Sequence, residues 1–266
     1  MDSMSIVLVF FVIIGWAAAL FINYAADVLP RMRRFVRPTC QHCEAPYAWI
    51  DYMTMRPCRS CATPRDLRTW IVQILMVAVF VYFAVNPPRT LNLPLTLIVV
   101  TYFAVLIVID LEHRLILFST SMFGAALGLI VGTTIYSQAL KMPFLSALGL
   151  SVLGGAIGFG VMFLFYQVGR LFSRYRARRL QPAVPEDEDE EALGGGDVYL
   201  GAVLGLMLGA NFILSALVYG ILLGGVVGLV LLVVLQLSSA RKQPLMTFIP
   251  YGPFLIAGAF YVLFLN

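Results

Sequence analysis

From residue 5 onward the chain runs in long apolar stretches separated by short polar breaks. Eight stretches, at 5–26, 70–86, 92–110, 115–136, 144–169, 197–211, 212–237 and 245–265, are about as long as the roughly 20 helical residues that cross a hydrocarbon core of about 30 Å. The sixth and seventh are joined only by Ala210 and Asn211. Runs of small residues such as "GAALGLIVG", "LGGAIGFG" and "LLGGVVGLV" predict close packing between helix backbones. The first stretch is too long for a secretory signal and follows Asp2 rather than a basic segment, so it reads as a retained anchor. The pattern predicts an all-α polytopic membrane protein of about eight transmembrane helices. Its parts are a first helix over 1–30, a polar loop over 31–69, helices two to five over 70–169, a charged loop over 170–196, and helices six to eight over 197–266.

Composition agrees: 61% of the residues are hydrophobic, 12% are charged and the mean hydropathy is +0.90, which excludes an ordinary soluble domain. Charge then sets direction. If the spans alternate, the loops after spans one, three, five and seven share one side and hold 16 of the 18 Lys and Arg residues. The positive-inside tendency makes that side cytoplasmic. It also places Asp110 and Asp197 at the cytoplasmic ends of spans three and six.

The loop over 31–69 holds all four cysteines, as Cys40-x-x-Cys43 and Cys58-x-x-Cys61 with 14 residues between the pairs. Two such pairs have the spacing of a four-thiolate zinc site, each turn offering two sulfurs to one edge of a tetrahedron. Two disulfides or four unrelated thiols are the alternative, but a cytoplasmic loop is reducing and disulfides seldom persist there. Four protein sulfurs leave no open position, so the zinc is expected to be structural. His42 reads as a solvated loop residue. Arg31, Arg33, Arg34 and Arg37 are expected to meet anionic lipid headgroups, with an acidic part of a partner as the alternative. No nucleic-acid partner is expected.

Away from this loop and the acidic run Glu186 to Glu191, the acids are Asp2, Asp27, Asp110, Glu112 and Asp197. An acid in a spanning helix costs about 2.5 to 3.5 kcal/mol near the centre and less toward the ends, which invites a functional reading. Asp110 closes "LIVVTYFAVLIVID". His113, three residues on, shares its helical face and is placed to tune its charge. Asp197 follows three glycines, which allow a helix start where other residues would be blocked. There the helix dipole favours a carboxylate. On residue chemistry alone, a helix cap at Asp197 and an interfacial charge at Asp110 account for the two acids about as well as a site does. Two carboxylates that face each other share a proton, so one can accept from water while the other donates to a carbonyl or leaving nitrogen, as in aspartic proteases.

With these residues in view, the chain resembles the type IV prepilin peptidases, membrane aspartic proteases of the GxGD class. "VIDLEHRLI" is similar to the family's first catalytic segment, "GGGDVYL" to its GxGDxKL segment, the paired CxxC loop to its cytoplasmic zinc-binding loop, and "IPYGPFLIAGAF" to its C-terminal "PFGP" helix. The resemblance implies that Asp110 and Asp197 are the catalytic pair. It implies as substrate a prepilin or pseudopilin-like precursor, with a short basic leader, cut at the cytoplasmic face of the cell inner (cytoplasmic) membrane. It also implies N-methylation of the new N-terminus with S-adenosylmethionine, for which no nucleotide-binding motif is present here.

The chain departs from the family in three places. The family's "LLPD" is "LILF", its Lys after the second aspartate is Tyr199, and Asp27 or Val28 stands where the first span carries Arg. A transporter with Asp110 and Asp197 as ion sites, and an inactive family member acting as a scaffold, are the competing readings. Against the transporter, both acids fall at one membrane face and no inverted repeat is evident. The charged loop divides into a basic half, with Arg170, Arg174, Arg176, Arg178 and Arg179, and the acidic half Glu186 to Glu191. Such blocks are usually solvated and disordered. The sharper alternative is that the acids gather a basic leader.

Overall fold

A computed structural model describes residues 3–180, 194–237 and 250–265. Among them every regular element is helical: α1 (Ser3–Met32), α2 (Trp49–Met53), α3 (Leu67–Val85), α4 (Leu93–His113), α5 (Phe118–Thr134) continued by a π-helical turn (Ile135–Ala139), α6 (Phe144–Leu180), α7 (Gly195–Leu237) and α8 (Gly252–Phe264). Six of these are long and apolar enough to cross a membrane, and α8 is a shorter apolar helix. The chain is a multi-pass membrane protein. It divides into two compact units, Met1–His113 and Arg114–Asn266.

In the first unit α1 packs on α3 and α4. Gly15 permits the α1–α3 approach, because a Cβ there would lie 3.0 Å from the Val77 Cα. Polar side chains fasten the same interface: Gln73 donates to the Trp16 carbonyl at 2.8 Å and Asn23 to the Thr69 carbonyl at 3.3 Å. Helix α1 stops at Arg33, whose φ of 53° is the left-handed turn that ends helices and whose N–H closes on the Leu29 carbonyl at 2.9 Å. Helix α4 starts where the Asn92 side chain accepts the Leu95 N–H at 3.1 Å.

In the second unit α7 is two helices in one. Gly209, with φ 69° and ψ 177°, breaks it, so the sixth and seventh stretches meet at Gly209, just before the predicted joint. A broken helix in an apolar setting strands backbone groups that water cannot reach. Here the π-helical turn presents Tyr136, whose hydroxyl donates to the Leu208 carbonyl at 3.2 Å and accepts the Asn211 N–H at 3.3 Å. Tyr251 feels the charge of Asp197 and also lies 3.1 Å from where a Gly224 Cβ would stand. Residues about equally far on either side of Gly209 therefore come to the same end of the unit.

The half of α7 before the break lies on α6 through glycines, Gly205 against Gly154 and Gly201 against Gly158. Ser151 adds a hydrogen bond to the Leu206 carbonyl at 2.5 Å. Helix α6 runs on through Leu180, so the basic half of the loop placed at 170–196 is helical, not disordered. Its regular i→i−4 bonding continues unbroken past Arg170, where hydropathy alone ended the span at 169. The acidic run Glu186 to Glu191 lies outside the described residues, as do residues 245–249 of the last predicted stretch.

Candidate functional site

The cysteine loop is built from the same turn used twice. The Cys40 N–H bonds the Ala45 carbonyl and the Glu44 N–H bonds the Cys40 carbonyl, both at 2.9 Å. The Cys58 N–H bonds Thr63 at 3.1 Å and the Ala62 N–H bonds Cys58 at 2.9 Å. Glu44 and Ala62 take matching left-handed conformations, φ 58° and 54°. Each turn lifts its two sulfurs to one side, and the four ligand atoms lie within 4.8 Å of one another.

The Cys40–Cys61 and Cys43–Cys58 sulfurs are 3.7 and 3.6 Å apart. Those separations exceed the ~2.05 Å of a disulfide and approach the ~3.8 Å edge of a tetrahedron with metal–sulfur bonds of ~2.3 Å. The four thiols can hold a metal ion. The Thr63 hydroxyl, 3.0 Å from the Cys61 sulfur, and then the Thr63 backbone N–H lower the Cys61 thiol below its ordinary value. His42 is exposed, as expected.

Tyr24, Tyr47 and Tyr52 seat the loop on the end of α1, with Tyr52 edge-on to the other two. Burial, partly offset by the Arg65 charge, pushes the Tyr47 phenol up to about 12. The Tyr24 hydroxyl donates to the Val36 carbonyl at 2.7 Å. The Nε of exposed Arg37 donates to the Tyr47 carbonyl at 2.8 Å. Exposed Arg59 pairs with buried Asp51 at 2.6 Å.

The residue that sequence reasoning passed over is Asp27. Its carboxylate, 6% exposed at the end of α1, takes Arg68 at 2.5 Å, the Tyr52 hydroxyl at 2.6 Å and Gln41 at 3.1 Å. Burial, and then the Asp27 charge, raise the Tyr52 phenol far above its ordinary value, so it stays a donor. The signal was present in the sequence, an acid in the last turns of a spanning helix, but it registered only as a missing Arg. Arg68 continues the chain of contacts to Glu112 at 2.8 Å. His113, expected to tune Asp110, has its Nε2 3.9 Å from Glu112.

Asp110 is buried, 5% exposed, in the last turn of α4 in the first unit. Asp197 is buried, 8% exposed, in the first turn of α7 in the second. Its N–H bonds the Gly194 carbonyl at 3.0 Å. The glycines before it are not equivalent: a Cβ on Gly196 would come within 2.8 Å of the Ile116 Cβ, whereas Gly194 and Gly195 face open space. Beside this turn Tyr199 stands edge-on to Phe118, with ring centroids 6.1 Å apart. Tyr251, at the start of α8, lies within reach of the Asp197 charge.

The chain is 28% identical over 247 residues to the prepilin leader peptidase/N-methyltransferase of Myxococcus xanthus (strain DK1622), covering 89% of this chain and 65% of the relative. It thus spans about two thirds of that relative's length. It is 25% identical over 235 residues to the protein of the same name from Legionella pneumophila, covering 86% of this chain and 72% of the relative. No solved structure matches it. Residues 97–229, half of the chain and the stretch containing both Asp110 and Asp197, match the type IV leader peptidase family, and the chain belongs to that family.

Proposed function

We propose that the chain is an aspartic endopeptidase with Asp110 and Asp197 as its catalytic pair. It removes the basic leader from prepilin or pseudopilin-like precursors at the cytoplasmic face of the inner membrane and then N-methylates the new N-terminus. The observation that carries the reading is the burial of both acids at ends of apolar helices inside the family's matched stretch. A buried carboxylate is costly unless its surroundings use its charge. Two that approach each other hold one proton between them near neutral pH. The ionised member takes a proton from water as its oxygen attacks the scissile carbonyl. The protonated member gives its proton to the carbonyl oxygen, and the leaving amine is protonated as the bond breaks.

Zinc is the metal assigned to Cys40, Cys43, Cys58 and Cys61, where a closed set of four sulfurs fixes the loop and leaves no position for catalysis. The N-methyltransferase in the names of the relatives supports the methylation reading, for which S-adenosylmethionine is the methyl donor assigned. The cofactor supplies an electrophilic methyl group to the freed amine. Basic side chains such as Arg31, Arg33 and Arg34 are assigned to lipid headgroups. The test is co-expression with a prepilin-like precursor: Asp110→Ala and Asp197→Ala, at normal membrane abundance, are expected to leave the precursor uncut.

A further inference from the structure

A cavity of about 290 Å³ lies beside the cysteine turns, wholly within the first unit and lined by Asp27, Gln41, Arg65, Asp66 and Arg68 among others. That volume is near the lower end of small-molecule sites, ~300 Å³. Its lining carries both signs of charge, two carboxylates and two guanidinium groups, so its best complement carries both signs as well. Asp27 is already engaged by Arg68, Tyr52 and Gln41.

Arg65 is not engaged in the same way. Its guanidinium is held over the rings of Tyr52 and Tyr47, 4.0 and 4.5 Å from their centroids, with its side chain only 10% exposed. Its approach to Asp27, 3.7 Å, is longer than a hydrogen bond. Its Nε is buried with no hydrogen-bond partner, and so is that of Arg68. Buried donors left unmet are unfavourable, and a carboxylate that accepted from the Nε and Nη of one guanidinium edge would correct this. Opposite this need stands Asp66, exposed, at the N-cap of α3 but making no capping hydrogen bond.

We infer that this cavity binds the amino-acid arm of S-adenosylmethionine, its carboxylate on Arg65 and its ammonium toward Asp66. The assignment rests on the methyltransferase half of the proposed function. Arg68, which also lines the cavity, holds Glu112 at 2.8 Å.

The experiment is calorimetric titration of the full-length chain in lipid nanodiscs with S-adenosylhomocysteine, which keeps the amino-acid arm and cannot react. Zinc content is measured on each sample. Wild type is expected to bind saturably, and Arg65→Gln, with its zinc retained, to bind about tenfold or more weakly, the loss expected for a charged hydrogen bond. Asp66→Asn, a substitution at an exposed position, is expected to weaken binding while leaving zinc in place, and it decides the matter if Arg65→Gln loses zinc. Absence of saturable binding to zinc-loaded wild type, or unchanged affinity in Asp66→Asn, overturns the assignment. Binding is read without turnover, so it fails or stands separately from the peptidase reading, which Asp110→Ala and Asp197→Ala test by cleavage.

Discussion

Arg68 places one guanidinium nitrogen 2.5 Å from Asp27 and another 2.8 Å from Glu112, joining the end of α1 to the end of α4. Asp27 in turn holds the cysteine loop through Tyr52 and Gln41. Removing the cation leaves a buried carboxylate with only neutral donors and a distant Arg65. Arg68→Ala is therefore expected to destabilise the first unit by on the order of 3 kcal/mol. Thermal unfolding of the purified chain measures this, and Asp27→Asn in the same chain should recover part of the loss.

The cysteine turns predict about one zinc per chain by metal analysis. Cys40→Ser and Cys58→Ser each remove one of the four sulfurs of the tetrahedron and should abolish stoichiometric zinc, as should a strong chelator with a fall in melting temperature. Acidification should also release the metal, because thiolates must be deprotonated to bind it. A chain that melts identically with and without chelator would remove the metal from the account.

Gly209 and Tyr136 form a single device. Gly209→Ala places a side chain at φ 69°, ψ 177° and against the Tyr136 ring, adding a steric conflict to the ~1–3 kcal/mol cost of a backbone conformation essentially confined to glycine. Tyr136→Phe keeps the ring and strands the Leu208 carbonyl and the Asn211 N–H, at about 1–3 kcal/mol for each group left unmet. Both variants should lower resistance to denaturant, with Gly209→Ala the more severe.

The three glycines before Asp197 should separate under substitution. Gly196→Ala drives a Cβ into Ile116 and displaces the turn that carries Asp197, so cleavage should fall sharply. Gly195→Ala meets nothing and should cleave nearly as wild type. Cleavage assays on the pair at matched abundance check the contrast.

Much of this was legible in the sequence. Hydropathy marked the apolar stretches because a bilayer demands about 20 apolar residues per crossing, and the paired CxxC spacing marked the metal site because each turn is local. The break at Gly209 was only approximately placed, since what stabilises it is Tyr136, far away in the chain and carried by a π-helical turn that no periodicity announces. Asp27 was missed for the same reason: its partners Gln41, Tyr52 and Arg68 come from three separate places in the loop and the next helix.

The most direct test of the central claim is the rate of precursor cleavage by Asp110→Asn, Asp197→Asn and the double variant in the same membranes. A pair that shares one proton works as a unit, so each single variant should lose on the order of a thousandfold or more, and the double variant should be no slower than either single. Cleavage near the wild-type rate in either single variant, or losses that multiply in the double, would contradict it.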